Sequence, residues 1–257
     1  MPFALITGAS KGIGKAIALS LASRGYDLLL VARSEDLLRD MALEISAGSN
    51  IRCHYLAVDL AGDRAAEAVY AWCSTNQYPV SMLVNNAGYG LSGSFEKYDA
   101  DTHADMLHLN IVTLVKLTRL FLPDFRKQPA SYILNVGSSA AYQAVPFLSA
   151  YAASKSFVLS FSRGLNQELK GSTVSITCVC PGPTDTNFAN RANIGKKGQK
   201  TAARFNMSPE AVAHIAISAL FKRKAEVITG GMNKLSAFFA WLLPKNLVEG
   251  VAKKLYD

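Results

Sequence analysis

Tyr151 and Lys155 stand four residues apart in Tyr151-Ala152-Ala153-Ser154-Lys155, inside a stretch, Ser149–Lys170, that reads as a long helix stopped by Gly171. At that spacing two side chains meet on one helical face. A free phenol, with a pKa of about 10, is a poor base at neutral pH, and an adjacent ammonium favours the phenolate. A tyrosine tuned in this way exchanges a proton with an alcohol or carbonyl oxygen. Incidental Tyr/Lys neighbours are frequent on helices, so the pair carries weight only in company. Ser138 lies 151 − 138 = 13 residues earlier, just past the predicted strand Tyr132–Val136. A hydroxyl there is placed to hold a carbonyl oxygen, as is its neighbour Ser139.

The second chemistry-bearing segment is Thr7-Gly8-Ala9-Ser10-Lys11-Gly12-Ile13-Gly14, which directly follows the apolar run Phe3-Ala4-Leu5-Ile6. A strand, a glycine turn and a helix start therefore fall together. Backbone N–H groups in such a turn face phosphates, and the glycines let the chain approach them closely. Asn85-Asn86-Ala87-Gly88 follows another apolar strand, Val80–Val84, and Pro181-Gly182-Pro183-Thr184-Asp185-Thr186 follows Thr173–Val179. Each of these is an ordinary turn when taken alone. Four ligand-like elements at four strand ends are hard to attribute to chance.

The elements that must position these residues alternate along the chain. Phe3–Thr7, Asp27–Ala32, Ile51–Val58, Val80–Val84, Tyr132–Val136, Thr173–Val179 and Glu226–Thr229 read as strands. Gly12–Arg24, a helix from an N-cap at Ser34 to about Ala47, Asp63–Gln77, Ala100 to about Phe125, and a helix opened by Ser208-Pro209-Glu210 lie between them. Continuously apolar strands such as Leu28-Leu29-Leu30-Val31 are those of a parallel sheet covered on both faces. Regular βα alternation predicts an α/β fold, a doubly wound parallel sheet with right-handed crossovers. Segment 184–207, poor in periodicity, is expected to be a lid over the strand ends.

The order and spacing of these motifs resemble the short-chain dehydrogenase/reductase superfamily in its compact single-domain form, over roughly residues 3–231. Asn110 in the long predicted helix completes the pattern. The resemblance implies a Rossmann-like sheet of about seven strands, in the order 3-2-1-4-5-6-7, within one domain. It implies a tetrad of Asn110, Ser138, Tyr151 and Lys155. Tyr151 would exchange the proton, Ser138 would polarise the oxygen, and Lys155 would lower the Tyr151 pKa and bind the nicotinamide ribose. Asn110 would hold a proton-relay water. For the cofactor it implies Gly8, Ser10, Lys11, Gly12, Ile13 and Gly14, with Asp59 and Leu60 near the adenine. Asn86, Ala87 and Gly88 would line the adenosine, and Pro181, Gly182, Thr184 and Thr186 the nicotinamide end.

Relatives that prefer NAD carry an acid at the end of the second strand, for the ribose 2′-OH. Here that end reads Val31-Ala32-Arg33-Ser34, with no acid before Glu35. Arg33 suits a 2′-phosphate, and Lys11 adds a second cation, so NADP(H) is the expected cofactor. Substrate-pocket candidates are Tyr89, Ala140, Tyr142, Phe147 and Phe188, an apolar set suited to a lipophilic carbonyl or alcohol. The reading is an oxidoreductase; a non-catalytic NADPH-binding regulator on the same fold is the alternative. A homodimer or homotetramer is implied by the resemblance.

The 257 residues are 50% apolar and 18% charged, which excludes a disordered chain. The net charge of +8 is concentrated in 191–204, with five basic residues and no acid, and in 222–257, with seven basic and three acidic residues. No nucleic-acid recognition motif accompanies that charge. Cys53, Cys73, Cys178 and Cys180 form no C-x-x-C pair, and no metal-ligand spacing appears. The first strand begins beside Met1, so no signal peptide is expected. The apolar run Leu235–Leu243 falls short of the roughly 20 residues that span a bilayer. A cytoplasmic protein, or one resting on a membrane surface, is expected. A C-terminal extension, 232–257, continues past Gly230-Gly231-Met232. Either it packs on the substrate cleft or a partner subunit, or it forms a lysine-flanked apolar helix on a membrane.

Overall fold

The computed structural model describes residues 2–186, 188, 192, 195 and 206–256. In chain order the elements are β1 (Phe3–Thr7), α1 (Gly12–Ala22), β2 (Asp27–Ala32), α2 (Glu35–Gly48), β3 (Cys53–Ala57), α3 (Ala65–Thr75) and β4 (Val80–Asn85). Then come α4 (Ala100–Leu107), α5 (Thr113–Phe125), β5 (Ser131–Val136), α6 (Ser149–Glu168) and β6 (Val174–Cys180). The chain closes with α7 (Pro209–Phe221), β7 (Glu226–Ile228), α8 (Gly231–Leu242) and α9 (Lys245–Tyr256).

Side chains alternate across each strand, and both faces are covered. Ala4 and Ile6 of β1, with Leu28 and Leu30 of β2, enter one core with Ile17 and Leu21 of α1, Leu38 of α2 and Ile217 of α7. Phe3, Leu5, Leu29 and Val31 enter the other, against Val69 of α3 and Leu117, Phe121 and Phe125 of α5. The runs are continuously apolar because neither face meets water. All seven strands are parallel, in the order β3-β2-β1-β4-β5-β6-β7. β1 therefore pairs with β2 on one side and β4 on the other. Connections leave the sheet in opposite directions there, which opens a crevice at the strand C-termini.

Local readings are corrected or refined. The helix expected over Ala100–Phe125 is interrupted by a π turn, His108–Val112, which carries Asn110. This stretch is 26 residues long and apolar enough to cross a membrane by length and composition, yet Leu109, Leu117 and Phe121 pack in the core. Ser34 does stand at the N-cap of α2, but its side chain accepts no capping bond. The third strand is shorter than Ile51–Val58, and β7 ends one residue before Thr229. Ser208, by contrast, caps α7 as its sequence suggests, its Oγ accepting from the Ala211 N–H at 3.2 Å ahead of Pro209.

Much of segment 184–207, which was expected to be a lid, lies outside the described residues, with Arg191, Lys196, Lys197, Lys200 and Arg204. Its two ends meet in a bridge between Thr184 and Met207. The extension holds two helices, separated at Pro244, rather than one. α8 packs on the 3₁₀ turn Ser139–Tyr142 that follows Ser138.

Candidate active site

The crevice has a volume of about 720 Å³ and runs along the C-terminal ends of β1, β2, β4, β5 and β6. Its first wall is the glycine loop. Gly8 and Gly12 have φ of +64° and +55°, the left-handed region that favours glycine. A Cβ on Gly8 would lie 2.7 Å from Asn86 Nδ2, so the loop and the Asn86 turn need glycine to sit this close. Asn86 Nδ2 donates to the carbonyls of Thr7 and Gly8, at 2.9 and 3.1 Å. Thr7 was not singled out as a site residue, yet it pins the two loops together. Its Oγ1 accepts from the N–H groups of Asn86 and Ala87, at 2.9 and 3.0 Å, and donates to Val84 O at 3.1 Å. Gly14 stands behind Gly8; Ser10, Lys11, Gly12 and Ile13 line the opening.

The N-terminus of α1 at Lys11 has no side-chain cap and no acid in its first turn. Its N–H groups and helix dipole thus present positive potential, with no carboxylate in that turn to oppose an anion. Arg33, at the end of β2, lies 3.7 Å from Asp59 across the crevice edge, each side chain 56% exposed. An ion pair so wet is worth little and leaves the guanidinium able to turn to another anion. Leu60, Ala87 and Gly88 line the floor between this edge and the far end.

At that far end α6 presents Tyr151 and Lys155, both nearly buried. Lys155 Nζ lies 5.8 Å from the centre of the Tyr151 ring and donates to Val136 O at 2.9 Å, which ties α6 to the end of β5. Burial pushes the Lys155 ammonium down to about 8, against a smaller opposing effect of the thiols of Cys178 and Cys180. Those thiols are unbridged, with sulfurs 3.8 Å apart. Ser138 Oγ accepts from the Ala140 N–H at 3.1 Å. That bond uses a lone pair, so the hydroxyl hydrogen is left for a ligand. Ser138, Tyr151 and Lys155 share the crevice with Ala140, Pro181, Gly182, Thr184, Thr186 and Phe188. The Phe188 ring tilts against Tyr151 at 5.3 Å.

Asn110 reaches this cluster from behind. Its Nδ2 donates to Tyr89 O at 3.0 Å and Ser154 Oγ at 3.1 Å, while Oδ1 accepts from the Tyr89 N–H at 3.1 Å. Ser154 in turn donates to Tyr151 O at 2.7 Å. Both amide hydrogens are thus committed, and a water on this side chain has only the second lone pair of Oδ1. Gly88 lets the pieces converge: a Cβ there would stand 2.8 Å from Asn110 Oδ1 and 3.6 Å from Lys155 Nζ. Ser154 escaped the sequence reading, although its place between Tyr151 and Lys155 was the signal.

Three pocket candidates lie outside the crevice lining. Tyr142 points away from the crevice, its hydroxyl bonded at 2.5 Å to Glu226 Oε1, and burial with the neighbouring Cys180 and Glu226 drives its pKa well up. Phe147, held at φ +64°, lines a separate cavity of about 260 Å³ with Phe95, Tyr98 and His103. Tyr89 also lies outside the crevice lining; it packs in the core beneath it and against the cluster of Leu148 and Tyr151 that Ala140 and Phe188 join.

A family model, short chain dehydrogenase, matches residues 2–197, which contain the glycine loop, Asn110, Ser138, Tyr151 and Lys155. The chain belongs to the short-chain dehydrogenase family. It is 36% identical over 187 residues to a very-long-chain 3-oxoacyl-CoA reductase of Anas platyrhynchos, covering 70% of this chain and 58% of that protein. It is 32% identical over 233 residues to the probable oxidoreductase EphD of Mycobacterium tuberculosis, covering 85% of this chain but 39% of EphD. The chain thus spans less than two thirds of either relative. Among solved structures, a short-chain dehydrogenase from Sphingobium yanoikuyae in complex with NADPH superimposes with a TM-score of 0.83, at 30% identity and 94% of each chain. The fold and the family of this chain are therefore shown.

Proposed function

We propose that the protein is an NADP(H)-dependent oxidoreductase that interconverts a carbonyl and a secondary alcohol, with a lipophilic substrate. The observation that carries this reading is the meeting of Ser138, Tyr151 and Lys155 at one end of the crevice whose other end is the glycine loop and Arg33. The residues fit a dinucleotide. The uncapped α1 N-terminus and the close-packed glycines suit a pyrophosphate, and Arg33 and Lys11 suit a 2′-phosphate. The NADPH complex of the Sphingobium relative supports the same choice.

The bound reduced nicotinamide supplies the hydride. Ser138 donates its remaining hydroxyl hydrogen to the substrate oxygen and orients it. Tyr151 delivers its phenolic proton to that oxygen as negative charge develops there, and takes it back in the oxidative direction. The Lys155 ammonium stabilises the phenolate left behind, in a site where burial keeps water from screening it. Asn110 and Ser154 hold the Tyr151 turn and the Tyr89 backbone beside Gly88 in register. Phe188 and Ala140 supply the apolar surface for the substrate.

The test is oxidation of NADPH and NADH against a panel of lipophilic ketones, ketoacyl thioesters and steroids, with Tyr151→Phe beside the wild type. NADPH turnover is expected to fall about 10²–10⁴-fold in the variant, the range for a positioned acid, with cofactor affinity kept. Equal turnover in the variant, or tight NADPH binding without turnover on any substrate, sinks the catalytic reading in favour of a cofactor-binding regulator.

A further inference from the structure

We propose that α8 and α9 form a docking surface for the face of an anionic lipid bilayer, beside the mouth of the active-site crevice. Fifteen large apolar side chains are exposed among the described residues, and nine of them fall within 232–251. Large exposed apolar patches mark interaction surfaces, whereas singly scattered residues do not. α8 has spent its small-residue face on the domain. Asn233, Ala237 and Ala240, at i, i+4 and i+7, are its less exposed positions, and Ala240 is buried. The larger side chains are left outside: Leu235, Phe238, Phe239 and Leu242 are 43–54% exposed, and Trp241 is 75% exposed.

The occupant is argued from charge and residue type. Residues 231–256 carry Lys234, Lys245, Lys253 and Lys254 against Glu249 alone. Lys234 shares a helical stripe with Phe238 and Trp241, at i, i+4 and i+7, and Lys254 closes the stripe Leu247–Val251 on α9 in the same way. Leu247 and Val251 are each more than 60% exposed. Aromatic and leucine side chains bordered by lysines suit a helix lying in the headgroup layer of an anionic surface. A core-type homodimer face has no use for this rim of like charge, because two copies would bring lysine toward lysine.

The placement adds a consequence. Asn233 of α8 donates to Thr229 O at 2.7 Å and lies against Gly182, a residue of the crevice wall. α8 also rests on the turn that follows Ser138. A bilayer under α8 therefore lies next to the opening through which an apolar substrate passes.

The test is co-sedimentation of the full chain with vesicles of phosphatidylcholine alone, and of phosphatidylcholine mixed with phosphatidylglycerol. Tryptophan emission and the mass in solution are read in parallel. Binding to the mixed vesicles, weakened by salt and accompanied by a blue shift that Trp241→Tyr removes, is the expected result. Lys234→Gln/Lys254→Gln should lower binding about 25-fold, from about fivefold per lysine near such a surface. Trp241→Glu/Phe238→Glu should abolish it, with NADPH binding and the melting curve unchanged since both side chains are exposed. No binding to either vesicle overturns the proposal. So does a stable dimer in solution that Trp241→Glu converts to monomer, for the face would then belong to a second copy. None of these readouts depends on turnover.

Discussion

Replacing Lys155 by methionine is expected to make the apoprotein more stable while it destroys activity. The ammonium is buried, and burial lowers its pKa from 10.5 to about 8. Because the folded value lies below the unfolded one, the unfolded chain binds more protons between pH 8 and 10.5, and the stability set by this group rises with pH through that window. Below it the lysine is charged in both states and the whole cost is present, about 3 kcal/mol at about 1.4 kcal/mol per pKa unit. Methionine removes the charge but leaves Val136 O without its donor, which costs about 1–3 kcal/mol. The net gain of up to about 2 kcal/mol corresponds to a Tm up to about 8 °C higher for a chain of this size. Scanning calorimetry of wild type and Lys155→Met at neutral pH reads it, and the gap should close as pH rises toward 10.5. A lower Tm for the variant at neutral pH, or a gap that ignores pH, would refute the placement of a buried, destabilising ammonium. In the wild type the same titration removes the charged lysine, so kcat/KM for reduction should fall about tenfold between pH 7 and 9.

Arg33→Ala should raise the KM for NADPH about 10–100-fold, the worth of a charge-assisted bond, and leave NADH nearly untouched. The effect is sharpened because Asp59, 3.7 Å from Arg33, would then face the 2′-phosphate alone. An equal change for both cofactors would show that Arg33 does not read that phosphate. Tyr142→Phe should cost about 1 kcal/mol through the lost bond to Glu226, with substrate KM unchanged in steady-state assays. A raised KM would return Tyr142 to the substrate pocket.

Short-range rules were enough for the parts of this protein that depend on them. The Thr7–Gly14 turn, the i,i+4 placement of Tyr151 and Lys155, and the approximate place of each apolar strand follow from local backbone geometry. The parallel sheet follows from runs too apolar to have a wet face. Positions that depend on what lies opposite were not legible. Tyr142 and Phe147 are close in sequence to Ser138, but the turn Ser139–Tyr142 aims one at Glu226 and the other sits at positive φ in a different cavity. Asn110 was found in the right helix, but not the π turn that rotates it toward Tyr89 and Ser154. The tail was legible as apolar and basic, and that pattern left open whether it packs on the cleft or a partner subunit or rests on a membrane. Periodicity says which side chains share a face, but only the packed neighbours decide whether that face is covered. Here the small residues Ala237 and Ala240 fit against the domain, and the bulkier Phe238 and Trp241 were left facing out.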